Sequence, residues 1–356
     1  MSARGVAVFA GPGSSHSWTW LADLFESRGF YRVRFSGTDE FLKTLDDGSA
    51  TAMISGGDGF GIASALSGRG FRRLGDFISD GGLYVGVCAG AYLPLPSSIR
   101  PFSEFNLSST KIENIDCVLD RVDRLPPRIA VRYGRCAVVH PVRGELELQH
   151  GERTLKAPLY GGPIFRDPEK DRVLLRYSRF TEKTEFQFGR GAASSMVLGR
   201  VAAVEATHGR GRLLLLGPHL EHPQYPDANE LLAGMLGLQS VTHARNAADG
   251  VRQEVSSALA DLKVAILGLE NRTFVVGKKL WDGSRYLELH RAIQQRAWSM
   301  DNGLAVEIAT DLRSVRDRLA RMDMGAESDV DETTSLLVEA ARRCVDNHFR
   351  ILAGSR

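Results

Sequence analysis

Cysteine is scarce: the 356 residues hold four (Cys88, Cys117, Cys136 and Cys344), and no two of them form a C-x-x-C pair. In a chain this long that spacing announces neither a disulfide framework nor a zinc knuckle, which leaves a chemical role open for one of the four. Charge of one sign is lacking too. With 45 basic against 43 acidic residues, no overall field demands nucleic acid or an anionic membrane as partner. Long apolar runs are absent: the segment entered by MSARGVAVFAG is about six residues long, too short for the apolar core of a signal peptide, and no run reaches membrane-spanning length. A cytoplasmic location is expected. Apolar residues at 43% and charged residues at 25% argue against disorder.

The length exceeds what one core usually fills, so two units are expected. In the first half, short apolar runs (Val6–Ala10, Arg32–Phe35, Ala52–Ile54, Tyr84–Val87) alternate with helical stretches near Trp18–Arg28 and Phe71–Asp80. This alternation predicts an α/β fold, an open and mainly parallel sheet covered by helices. From about Lys111 to Val204 the pieces read as further, partly antiparallel strands, among them Ala130–Tyr133, Cys136–Pro141, Leu146–Leu148 and Val173–Tyr177. Arg212–Gly217 is a continuous apolar strand of the kind buried on both faces, and a helix at Asn229–Gly237 closes the unit.

The polar stretch Thr242–Gly250 reads as a linker. Beyond it Val251, Val255, Leu259, Leu262, Ile266 and Leu269 step at helical spacing, and the steps recur from Leu304 to Met322. Further helices are expected at Leu280–Met300 and Glu332–Leu352. The expected organisation is a unit over 1–240, a linker over 241–250 and an all-α helical domain over 251–356, whose stripes serve either an internal core or a dimer.

The strongest local signal is Gly82-Leu-Tyr-Val-Gly-Val-Cys-Ala-Gly-Ala-Tyr-Leu93, a strand that runs into Gly-x-Cys-x-Gly. This is a nucleophile elbow with cysteine in place of serine. A tight strand-to-helix turn strains its central residue and tolerates only small neighbours, here Gly86, Ala89, Gly90 and Ala91. A helix N-terminus also favours thiolate on Cys88. Such a nucleophile needs a base and an orienting carboxylate, which His219-x-Glu221 at the end of the Leu-rich strand supplies, alternate side chains of an extended segment sharing a face. His219, Glu221 and His222 lack the helical spacing of a metalloprotease site, so no metal is expected. Gly11-Pro-Gly-Ser-Ser-His16 lacks the third glycine of a dinucleotide fingerprint, and no cofactor is expected. Arginines near Arg342 are interleaved with acids such as Glu339, which reads as a solvated face rather than a nucleic-acid surface.

Together, Gly-Val-Cys-Ala-Gly-Ala-Tyr and Gly-Pro-His-Leu-Glu-His resemble the glutamine amidotransferase-like superfamily, nearest to the family named for the N-terminal region of eukaryotic biotin-protein ligase. Further similar segments follow in order: Val6–Gly13 (VAVFAGPG), Met53–Asp58 (MISGGD), Tyr160–Phe165 (YGGPIF) and Gly209–Glu221 (GRGRLLLLGPHLE), so that the resemblance spans about residues 5–240. It implies a flavodoxin-like sheet, and an oxyanion hole made by the N–H groups of Gly57 and Ala89. Ser55 stands where much of the superfamily has proline. It also places Gly56, Tyr92, Tyr160, Gly161 and Gly162 near the pocket, with Tyr160-Gly-Gly-Pro163 either a structural turn or a substrate wall. The expected activity is amide hydrolysis or glutamine amidotransfer through a Cys88 thioester. The alternative is a non-catalytic binding or regulatory module that keeps the fold and works through a protein partner. The expected partners are a small amide-containing substrate and a protein, or a second copy bound through the C-terminal helices. No ammonia-consuming synthase domain is recognised in the sequence, so an amidotransferase would need one from a partner.

Overall fold

The structure, a computed structural model, describes residues 5–118, 122–239, 253–322 and 326–354. The expected linker 241–250 and Val251 lie outside them. The chain begins as the alternation predicts: β1 (Gly5–Phe9), α1 (Trp18–Ser27), β2 (Val33–Ser36), α2 (Thr38–Asp46), β3 (Ser49–Ile54), α3 (Gly59–Ser79), β4 (Leu83–Val87) and a short α4 (Ala89–Tyr92). In α1 the residues Trp18, Leu21, Ala22 and Phe25 recur at helical spacing and are buried. Gly29, at φ +61°, ends that helix in the left-handed conformation a C-terminal cap needs.

Next come β5 (Ile115–Asp116), β6 (Ala130–Tyr133), β7 (Cys136–Val139), β8 (Val142–His150), β9 (Arg153–Leu159), β10 (Arg172–Phe186), α5 (Arg190–Val197), β11 (Val201–His208), β12 (Gly211–Leu216) and α6 (Pro226–Met235). The main sheet has nine strands in the order β2-β1-β3-β4-β12-β11-β10-β8-β9. The strands from β2 to β12 pair in parallel and those from β12 to β9 antiparallel, so the sheet is mixed rather than mainly parallel. The strands read as flanking pieces extend the same sheet, except β5, β7 and β6, which form a separate three-stranded one. Along β12, Leu213 and Leu215 join the core on one face while Leu214 and Leu216 join that on the other. Each fully buried leucine contributes roughly 2 kcal/mol.

Cys117 and Cys136 form a disulfide, because β5 and β7 run antiparallel with Asp116 opposite Ala137, which sets the two residues side by side. Cys88 and Cys344 are free and buried.

The C-terminal segment is helical, with α7 (Gln253–Ile266), α8 (Ser284–Arg296), α9 (Asn302–Leu319) and α10 (Glu327–Gly354), but it is not all-α. A hairpin, β13 (Thr273–Val276) and β14 (Lys279–Asp282), turns through Gly277-Lys278 and occupies the start of the stretch expected as a third helix. Nor does the segment stand apart. Val255, Leu259, Leu262 and Ile266 share one continuous core with Trp18, Leu21 and Phe25. The Arg296 guanidinium, fully buried, reaches Asp23 and Glu26 of α1 at 2.7 Å each. Asp346 of α10 accepts from Arg34 and from the backbone N–H of Phe35 at 3.0 Å, which satisfies a donor of the outermost strand β2. No helix among the described residues is long and apolar enough to cross a membrane.

Candidate active site

Cys88 follows β4 at the C-terminal end of the parallel strands, where open α/β sheets form sites. Its backbone N–H donates to Leu216 O of the neighbouring β12 at 2.8 Å, and its φ of +51° is the strained turn the motif predicted. The small neighbours are needed: a Cβ on Gly86 would lie 2.4 Å from Gly90 O, and one on Gly90 would lie 2.0 Å from Ile54 O.

His219 and Glu221 meet across a turn rather than along an extended strand. His222 N–H donates back to His219 O at 3.3 Å, and His219 Nδ1 lies 2.8 Å from Glu221 Oε1. With Nδ1 held by the carboxylate, Nε2 is left for proton transfer. Both side chains are buried. Burial alone would lower the His219 pKa, but the charges of Glu221 and Cys88 and its hydrogen bonds to both raise it to about 9. Burial pushes the Cys88 thiol up, yet the charge and hydrogen bond of His219, with Lys279 behind them, bring it below its ordinary value. The two groups therefore favour a thiolate beside an imidazolium.

Sequence reasoning missed what stands behind the carboxylate. Ser55 Oγ donates to Glu221 Oε1 at 3.1 Å, and Ser17 Oγ lies 2.7 Å from Ser55 Oγ and 2.7 Å from Ser15 Oγ. A carboxylate only accepts, so the hydroxyl protons run from Ser15 through Ser17 and Ser55 towards Glu221. A proline at position 55 would have no hydroxyl to give, so the serine there adds a support to the carboxylate. Ser15 and Ser17 come from the loop after β1, and Ser55 directly follows β3; their role there had no sequence signal.

Cys88, Gly57 and Ala89 line one cavity together with Tyr92, Tyr160 and Gly161, and it holds about 840 Å³ including its mouth. His219 instead lines a neighbouring cavity with His16, Trp20 and His222, and Arg143, Tyr160, Lys279 and Leu280 form walls of both. Gly56 is no wall of the Cys88 cavity but a floor under the imidazole: a Cβ there would lie 2.8 Å from His219 Cε1. Gly162 packs behind Cys88, since its Cβ would meet Gly217 O at 1.9 Å and Cys88 Cα at 3.1 Å. The Tyr160 ring lies against His219, centroids 5.6 Å apart, with the Arg143 guanidinium 4.7 Å over its centre. Tyr92 Oη donates to Gly161 O at 3.3 Å.

The C-terminal hairpin enters the site, a contribution no sequence motif placed there. Lys279 Nζ donates to Gly57 O at 2.9 Å, and Asp58 Oδ2 accepts from Lys278 N–H at 3.1 Å. The available signal was Val-Val-Gly-Lys-Lys-Leu-Trp, a glycine turn between apolar pairs, overlooked because helical spacing surrounds it. Among the described residues no group of three His, Cys, Asp or Glu side chains is disposed to hold a metal ion.

Residues 6–107 match the family model described as the N-terminal region of biotin-protein ligase. No curated protein matches the chain. Among solved structures, it is similar to Gan42B, a GH42 beta-galactosidase from G. stearothermophilus, at 11% identity over 67% of this chain and 31% of that one, with a TM-score of 0.39. The beta-galactosidase from Bacillus circulans sp. alkalophilus gives 14%, 68%, 32% and 0.37 for the same measures. The exo-beta-1,4-mannosidase from Opitutaceae bacterium strain TAV5 gives 12%, 68%, 37% and 0.38. The chain spans about a third of the length of these glycosidases, and at such TM-scores the likeness carries no argument.

Proposed function

We propose that this chain is a cysteine-nucleophile acyl-transfer enzyme of the glutamine amidotransferase-like type, acting on an amide. The observation that carries the reading is the strained Cys88 elbow beside an imidazole held 2.8 Å from Glu221. The parallel strand order β2-β1-β3-β4-β12 also supports it, being the flavodoxin-like order. In this mechanism the Cys88 thiolate attacks the amide carbon, forming a C–S bond as the carbonyl electrons move to oxygen. The N–H groups of Gly57 and Ala89 receive that oxyanion. Collapse breaks the C–N bond while His219 passes its Nε2 proton to the departing amine. Water, deprotonated by His219, then attacks the thioester, and the acid leaves as the thiol is restored.

Incubation with glutamine and a panel of amides, followed by mass spectrometry of the Cys88 peptide, tests this. An acyl adduct and amine release are expected, both lost in Cys88→Ala; activity surviving that substitution sinks the mechanism. The second reading, a binding or regulatory module, draws on the hairpin lysine seated against the Gly57 loop. Partner capture unaffected by Cys88→Ser, without any adduct in the wild type, would support it. A partner or second copy at the C-terminal helices would meet Val264, Leu267 and Val306, which are exposed, because the helical stripes themselves are buried within the chain. A cytoplasmic location remains part of the proposal, and the Cys117–Cys136 disulfide weighs against it. Thiol alkylation at the moment of cell lysis, finding both cysteines reduced or both oxidised, decides between them.

A further inference from the structure

We propose that the substrate of Cys88 carries a carboxylate on an apolar body, and that Lys279 of the C-terminal hairpin binds that carboxylate beside the reacting carbon. The inference rests on the nucleophile reading of Cys88 and deepens it.

Charge in the cavity is one-sided. Its walls carry four cationic side chains, Arg128, Arg143, Lys278 and Lys279, against the single carboxylate of Asp58. That carboxylate is occupied, since Oδ1 accepts from Phe60 N–H at 2.9 Å and Oδ2 from Lys278 N–H. Arg143 is engaged as well, paired with Asp282 and lying over Tyr160. Lys279 differs. Its ammonium, which lies 5.0 Å from the centre of the Trp281 ring, has three donors but meets one hydrogen-bond acceptor among the described residues, Gly57 O. It is also close enough to Cys88 for the two charges to interact. A partly desolvated ammonium with spare donors next to a nucleophile suits an anionic group on the substrate.

A neutral acceptor stands in the same cavity. His140 is held uncharged, its pKa lowered to about 4 by burial and by Lys279 and Arg143, and its buried Nδ1 has no partner. The rest of the wall is aromatic and aliphatic: Phe60, Phe102, Tyr133, Val131 and Val138. Such a surface accommodates an apolar body and gives a small zwitterion little to hold. The composition therefore favours an amide that also carries a free carboxylate on an apolar body over one that bears an ammonium as well, for which the cations would be repulsive.

The test compares iodoacetate with iodoacetamide, reagents of nearly the same size that alkylate a thiolate by the same displacement of iodide. Rates at Cys88 are read by mass spectrometry on the full chain and normalised to N-acetylcysteine. The thiolate fraction is common to both reagents, so the ratio isolates recognition of charge. The wild type is expected to favour iodoacetate by about tenfold, the factor that about 1.4 kcal/mol gives. Lys279→Met should bring the ratio near one, and Lys279→Arg should keep most of it. A wild-type ratio near one overturns the carboxylate subsite and leaves the nucleophile standing. A ratio unchanged in Lys279→Met, with both rates lowered, also overturns it and confines the lysine to stabilising the thiolate. Absence of reaction at Cys88 with either reagent refutes the nucleophile reading and the subsite together.

Discussion

Replacing Glu221 by Gln removes the negative charge behind the imidazole and keeps the shape that receives it. The amide oxygen can still accept from His219 Nδ1–H and Ser55 O–H, and the amide nitrogen falls where Oε2 has no partner. The lift of His219 from 6.5 to about 9 corresponds to roughly 3 kcal/mol in favour of imidazolium, at about 1.4 kcal/mol per pKa unit. The charge of Glu221 is the largest contribution that raises it, and without that charge burial is opposed chiefly by Cys88. The His219 pKa then falls, and the imidazolium gives way to the neutral ring at lower pH. The Cys88 thiol loses the cation that lowered it and rises in turn. Iodoacetamide alkylation of Cys88, followed from about pH 5 to about pH 10, reads this directly. The wild-type rate should climb at a pH below that of an ordinary thiol. In Glu221→Gln the limb should move up by about one unit or more, with about tenfold less reactivity near pH 7. Stability follows the same linkage. A His raised above its unfolded value stabilises fully below about 6.5 and ceases to as pH rises through about 9. The Cys88 thiol, lowered in the fold, contributes with the opposite sign as pH rises towards its ordinary value, so the wild-type melting temperature should change little across that window. Superimposable alkylation profiles would refute the coupling between Glu221, His219 and Cys88.

Two further predictions follow from backbone strain and from buried charge. Cys88→Gly should be more stable than Cys88→Ala by about 1 kcal/mol in urea denaturation, the reverse of the usual order, because φ at that position is +51°; an alanine variant of equal or higher stability removes the strain argument. Arg296→Met should cost about 3 kcal/mol, since it leaves Asp23 and Glu26 without the cation that lies 2.7 Å from each. A loss under about 1 kcal/mol would show that this pairing does not hold the C-terminal segment to α1.

Much of the site was legible in sequence because its parts are local. Strand, turn and helix N-terminus around Cys88 lie within about a dozen consecutive residues, and only small side chains fit where Gly90 meets Ile54 O. His219 and Glu221 are two residues apart, so a turn suffices to join them. The alternating apolar runs likewise announced the parallel strands, and the helical stripes announced α7 and α9. Other features depend on residues far apart in the chain. Whether Ser17 reaches Ser55, and Ser55 reaches Glu221, is decided by the pairing of β1 with β3 and by where β12 inserts. Whether Cys117 meets Cys136 is decided by the register of β5 on β7. Antiparallel completion of the sheet depends on pairing partners that strand-like runs do not name. The hairpin is the clearest instance: Lys279 lies 222 residues beyond Gly57 and meets its carbonyl. It does so because the helices that follow it bury their stripes against the same core as α1. Periodicity revealed that those stripes would be buried. Only packing determined against what, and so which cation stands beside the cysteine.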